Sequence, residues 1–165
     1  MSPTARIVVQ SAAKAALIVV LGVSLSHCGK KPEDTTKPST TAYAYDVALT
    51  LTPKAVKALG DKKIVVDGFY FGAPTAGAKD KADEAGRITL GEDESTVDAK
   101  DQTIHLTGFG LDRVVLANVE GGQPSVEITA YSETTAKNVL KCTTFKDTIK
   151  AAQAKPVAIS CDAAK

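Results

Sequence analysis

The chain has 165 residues, 44% of them apolar, with 20 basic against 19 acidic side chains and three cysteines. That balance, with no basic stripe, argues against a nucleic-acid binder, which needs clustered Lys and Arg to neutralise phosphates. Residues 1–14 carry Arg6 and Lys14 and no acid, and Ala15 to His27 are thirteen uncharged positions centred on LIVVLGV. A basic start followed by a short apolar run is the pattern of a secretory signal peptide. The run is shorter than the about 20 apolar residues that a membrane-spanning helix needs. Residues 1–27 are therefore expected to be a removable signal peptide.

Next comes LSHCG. Leu25, Ser26 and Cys28, followed by Gly29, resemble a bacterial lipobox, in which lipoprotein signal peptidase cuts just ahead of the cysteine. His27 stands where that family usually has Gly, Ala or Ser. The resemblance covers about the first thirty residues. It implies a diacylglyceryl group on Cys28 and usually an N-acyl chain such as palmitate; two or more chains anchor stably where one is marginal. By the same resemblance, a residue other than Asp after the cysteine directs the protein to the outer membrane, facing the periplasm. A rival cut after the small-x-small pair Ser24 and Ser26 would release a soluble periplasmic protein, whereas Ala42 and Ala44 lie too far from the apolar run. Cysteine arithmetic favours the lipid, because acylating Cys28 leaves Cys142 and Cys161 to pair.

Removal of residues 1–27 takes away Arg6 and Lys14, leaving 18 basic side chains against 19 acidic ones. The string GKKPEDTTKPSTT has no large apolar residue and two prolines, so it cannot bury enough surface to fold. Residues 28–42 are expected to be the lipidated cysteine and a linker, able to hold the domain roughly 40 Å from the bilayer when extended.

Residues 43–165 are of ordinary size for one domain. In YDVALTLT, Tyr45, Val47, Leu49 and Leu51 alternate with smaller or polar residues, which predicts a half-buried strand. Thr52, Pro53 and Gly60 predict a cap, a first turn and a stop for a two-turn helix. KKIVVDGFYFG reads as a strand in which Gly68 marks a bulge or a close approach. Further strands are expected at 87–90, 95–99, 102–108, 113–119, 125–132 and 138–142. In TTFKDTIKAAQAKP a helix of about ten residues is expected, capped by Thr144, with Phe145, Ile149 and Ala152 on one face. It precedes a final strand, PVAISC. Many short strands at this spacing predict a mainly β domain, an antiparallel β-sandwich (immunoglobulin/transthyretin-like) with one or two short helices. A Cys142–Cys161 disulfide is expected to staple its C-terminal loop.

Candidate chemistry is sparse. His105 lies in TIHLT between Thr103 and Thr107, which suits a solvated strand face better than a catalytic base, and no G-x-S-x-G motif accompanies it. Asp80, Asp83 and Glu84, and Glu92, Asp93 and Glu94, lack the order of an EF-hand loop, so charged turns are expected rather than calcium ligands. The fifteen residues from Gly72 to Gly86 exceed what a hairpin needs, and long loops are often functional. They follow Phe69, Tyr70 and Phe71, which must alternate across a strand, so one side shows aromatic surface unless the sandwich and the 53–59 helix cover it. Phe109, in GFG, is weighed between an exposed contact and a core plug, with the plug favoured.

Phe69, Tyr70, Phe71 and Phe109 are the expected binding residues. The expected function is a non-enzymatic binding module of the cell envelope, anchored through Cys28, whose partner is an envelope protein or small ligand. No catalytic residue, cofactor or metal is expected, and no nucleic acid. A second reading is an inhibitor or immunity protein of a periplasmic enzyme. A third is a metal-dependent or hydrolytic enzyme using His105 and the acidic loops.

Overall fold

A computed structural model describes residues 41–133 and 137–165; the expected leader at 1–27, Cys28 and the string up to residue 40 lie outside the described residues. Alternating burial along Tyr45–Leu51 (β1) turns Tyr45, Val47 and Leu49 inward. Thr52 then caps the helix Pro53–Leu59 (α1) by accepting from the Ala55 amide, as the spacing predicts. The strands that follow are Ile64–Gly72 (β2), Ile88–Val97 (β3), Gln102–Leu106 (β4), Ser125–Ser132 (β5), Leu140–Cys142 (β6) and Phe145–Thr148 (β7). A second helix, Ile149–Ala154 (α2), and the strand Val157–Ala163 (β8) complete the chain.

Two four-stranded sheets form, in the orders β4-β1-β8-β6 and β3-β2-β5-β7. The mainly β sandwich expected from the strand spacing is therefore present. One pair departs from antiparallel: β1 and β8, the first and last strands, run parallel at the centre of the first sheet. Between the sheets lie fully buried Val47, Leu49, Ile64, Val66, Val126, Ile128 and Ile159. Each such side chain contributes about 1.5–3 kcal/mol relative to exposure. No helix among the described residues is long and apolar enough to cross a membrane.

Four local expectations are corrected. The strands expected at 87–90 and 95–99 are one continuous strand, β3, and the acidic run Glu92–Glu94 lies inside it instead of in a turn. Positive-φ Gly91 absorbs a register shift opposite Tyr70 and Phe71, so a glycine that resembles a turn signal is a bulge. Residues 113–119 do not form a strand. Asp112 accepts from the Val114 and Val115 amides and starts a 3₁₀ turn over Val115–Asn118, an alternative that side-chain capping offers the backbone even against β-branched propensity. The C-terminal helix is six residues long and capped by Thr148, not Thr144, because Phe145–Thr148 pairs with β5. The long loop after β2 holds a 3₁₀ segment, Ala76–Lys81, fastened to the 115–118 turn by Thr75 N–H donating to the Asn118 carbonyl and Lys81 Nζ to Asn118 Oδ1.

The disulfide forms as expected. Cys142 and Cys161 face each other in the β6–β8 register and are bonded. Gly68 is a close approach, since a Cβ there would run into the Tyr45 hydroxyl.

The domain has two distinct ends. At one lie the start of β1, the ends of β2 and β4, the 107–124 loop and α2. There Thr41, the first described residue, donates its amide and hydroxyl to the Thr107 carbonyl. α1 packs on β8, β1 and β6 at the opposite end, beside the disulfide.

Candidate functional site

β2 runs through the middle of the second sheet, so its outward side chains have neighbours on both sides. Tyr70 points inward and is fully buried, edge-on to Tyr45 with ring centroids 6.4 Å apart. It is a core residue, and its place among expected binding residues is corrected. Burial holds both phenols above their usual range. Phe69 and Phe71 point outward and stack at 6.0 Å. α1 does not cover them; cations do. The Arg87 guanidinium lies 5.5 Å from the Phe69 ring and 5.1 Å from Phe71, and Lys146 lies 5.1 Å from Phe71. Under these cations Phe71 is buried, at 9% exposure, so of the two only Phe69 stays partly open to a partner.

Carboxylates surround this pair. Phe69 is flanked in register by Glu92 on β3 and Glu127 on β5, and Asp67 by Glu94 and Thr129. Arg87 bonds Asp83 at 3.1 Å and reaches Glu127 at 4.0 Å, while Lys146 pairs with Glu127 at 3.1 Å. The Tyr131 hydroxyl donates to Glu94 at 2.7 Å, and that bond pushes its pKa up to about 12. Asp67 is left over. Its Oδ1 is buried and receives no hydrogen bond among the described residues, and its pKa is pushed up to about 6, first by burial and then by Glu92, Glu94 and Glu127.

Glu92 and Glu94 lie on β3, an edge strand, where charge prevents pairing with other chains. Asp67 lies on a central strand opposite a like charge, which is destabilising and has no such justification. Proteins break such local rules mainly at functional or strained sites, which makes Asp67 the candidate position on this face. Neither Asp67 nor its partners Glu127, Arg87 and Lys146 stood out in the sequence. The signal was present in IVVDGFYF, where one carboxylate interrupts an apolar strand.

Asp67 sets the first pH prediction. Its folded pKa lies above its unfolded one, so the native state holds the proton more tightly and stability falls as pH rises toward about 6. On acidifying from pH 7 to 5 the domain should gain about 1 kcal/mol after discounting for solvent screening. Asp83 and Asp162, both held below the usual carboxylate range by hydrogen bonds first to Arg87 and to Thr52 respectively, lose their contribution only at lower pH. Thermal unfolding of Asp67→Asn should be flat across that window and match the wild type at its acidic end. A wild-type midpoint that does not rise between pH 7 and 5 refutes this.

The remaining expected positions are dispersed. Phe109 is no core plug: it is 60% exposed on the 107–114 loop. His105 pairs with Asp46 at 2.8 Å on the outer face of the first sheet, and no serine or threonine hydroxyl is bonded to it among the described residues. Asp83 closes the turn to Arg87 by accepting from its amide. Asp93 faces inward, away from Glu92 and Glu94. Among the described residues, no group of three or more His, Cys, Asp or Glu is arranged to hold a metal ion. A shallow groove lined by Tyr43, Pro124 and Ile149 is bridged by Gln153, whose amide donates to the Ala42 and Ala44 carbonyls. No protein-family model, curated protein or solved structure matches the chain.

Proposed function

We propose that this chain is a cell-envelope lipoprotein, anchored through Cys28, whose domain is a non-enzymatic binding module that receives a cationic segment of an envelope partner on the outer face of the β3-β2-β5-β7 sheet. The observation that carries the binding reading is Asp67, a carboxylate on a central strand among three others with one oxygen unpartnered. A Lys or Arg from a partner that reaches the half-buried Asp67 carboxylate and its acidic neighbours relieves that repulsion through charge-assisted hydrogen bonds. Because such a cation stabilises ionised Asp67, binding strengthens as pH rises through about 6. The anchor rests on the lipobox resemblance and on the even thiol count left by acylating Cys28.

Crosslinking in intact cells tests this reading. A photo-crosslinker at position 69 should trap one discrete partner, and Asp67→Asn should reduce that adduct at pH 7 by about tenfold, the worth of one charge-assisted hydrogen bond. A crosslinker at Thr103, outside the other sheet, should trap none. Equal labelling at both positions, or none at 69, removes the proposal.

A further inference from the structure

We propose that the 107–114 loop is a membrane-docking element that rests Phe109 and Val114 on the lipid surface to which the chain is tethered. This rests on the anchored reading above. Among the described residues, Phe109 is 60% exposed and Val114 84%, while the next most exposed large apolar side chain, Val56, stands at 41% in α1. Phe109 and Val114 lie five positions apart on one loop. That loop is built to hold them out. Asp93 accepts from the Gly108 and Gly110 amides, Leu111 is buried, and the Asp112 amide donates to the Leu90 carbonyl. Flanking these inward ties, Phe109, Arg113 and Val114 are exposed to solvent.

The place where the chain enters the domain selects the occupant. Thr41 is fastened to Thr107, and the Arg113 guanidinium lies 5.9 Å from the Tyr43 ring, so the loop stands beside the incoming chain. Only twelve residues, 29–40, separate Cys28 from Thr41. Fully extended, a segment of that length reaches at most about 45 Å, which bounds how far this end of the domain can stand from the anchor. At that effective concentration, of millimolar order, contacts too weak to recruit a free protein still hold a tethered one. An aromatic ring suits the headgroup level, and Arg113 suits anionic phosphates beside it.

The chain contains no tryptophan, so an introduced one reports alone. Phe109→Trp, Val114→Trp and, at the opposite end, Val56→Trp are made in the full protein, extracted with its lipid from its host envelope. Each is reconstituted in phosphatidylethanolamine–phosphatidylglycerol vesicles with brominated acyl chains. Docking at the depth of an interfacial element predicts that positions 109 and 114 lose at least about half their emission while position 56 loses none. Phe109→Asp, an exposed change that leaves the fold intact, should restore the emission of Val114→Trp. If intact mass shows acylated Cys28 and the protein is vesicle-bound, yet 109 and 114 emit like 56, docking is refuted and the anchor stands. If the mass shows an unmodified thiol, the anchor fails and docking falls with it.

Discussion

Asp93→Ala is expected to cost the domain about 4 kcal/mol, a large share of the 5–15 kcal/mol that holds an ordinary domain together. Its carboxylate accepts from the Gly108 amide at 2.6 Å, from the Gly110 amide at 2.5 Å and from the Tyr70 hydroxyl at 3.0 Å. Removing it strands three donors in a region with no room to rearrange. A Cβ on Gly110 would strike the Glu92 carbonyl, and one on Gly91 would strike the Gly110 carbonyl, so two backbones meet there without side chains between them. Asn at this position keeps one acceptor but turns an amide N–H toward an amide donor, and should recover less than half of the loss. Tyr70→Phe removes a single donor and should cost about 1 kcal/mol. In urea, Asp93→Ala should lower the midpoint by about 3 M with an unchanged slope. A change below about 1 kcal/mol would show that the three hydrogen bonds do not hold this loop.

The second large effect concerns Cys142 and Cys161. The bond closes a loop with a sequence separation of 19, for which the chain-entropy relation gives about 3 kcal/mol. That loop contains β7, a short edge strand, and α2, which has only two buried side chains of its own, Ile149 and Ala152. Neither element is able to hold itself in place, so constraining the unfolded chain matters more here than in the sheet centres. The double substitution to Ala should lower stability by about that amount, and a thiol reductant should bring the wild type to the same midpoint while leaving the double variant unmoved. Reductant sensitivity in the double variant would mean that another thiol is responsible.

How much of this could be read in the residues differs from element to element. β1 and β5 were legible because their apolar period is two and each has one buried face. α1 was legible because Thr52, Pro53 and Gly60 punctuate it. The stretch 113–119 was not: its valines favour a strand, but Asp112 supplies a local cap and β2's following loop supplies hydrogen bonds, and only the tertiary structure reveals either. Phe145 fits a helical face with Ile149 and Ala152, yet the open edge of β5 takes it into a ladder. The candidate site shows the same division. Phe69 and Phe71 could be assigned opposite faces to Tyr70 from strand alternation alone. Which face was outward, and which carboxylates gathered there, depended on the β3 and β5 registers, and these bring Glu92, Glu94 and Glu127 from distant positions. The inward turn of Asp93 between two outward glutamates follows from the same alternation once β3 is known to be continuous.

The parallel pairing of β1 with β8 carries a kinetic consequence. Thr50 and Ser160 are neighbours in space, 110 positions apart in the chain. The middle of the first sheet therefore cannot assemble until the last strand has been delivered, and such distant pairings slow folding to about the millisecond-to-second range. A polypeptide of this design leaves its first sheet open throughout synthesis and closes it only after the C-terminal strand has been made. Deleting the final strand should leave a permanently unclosed chain, visible as protease sensitivity of the β1 segment.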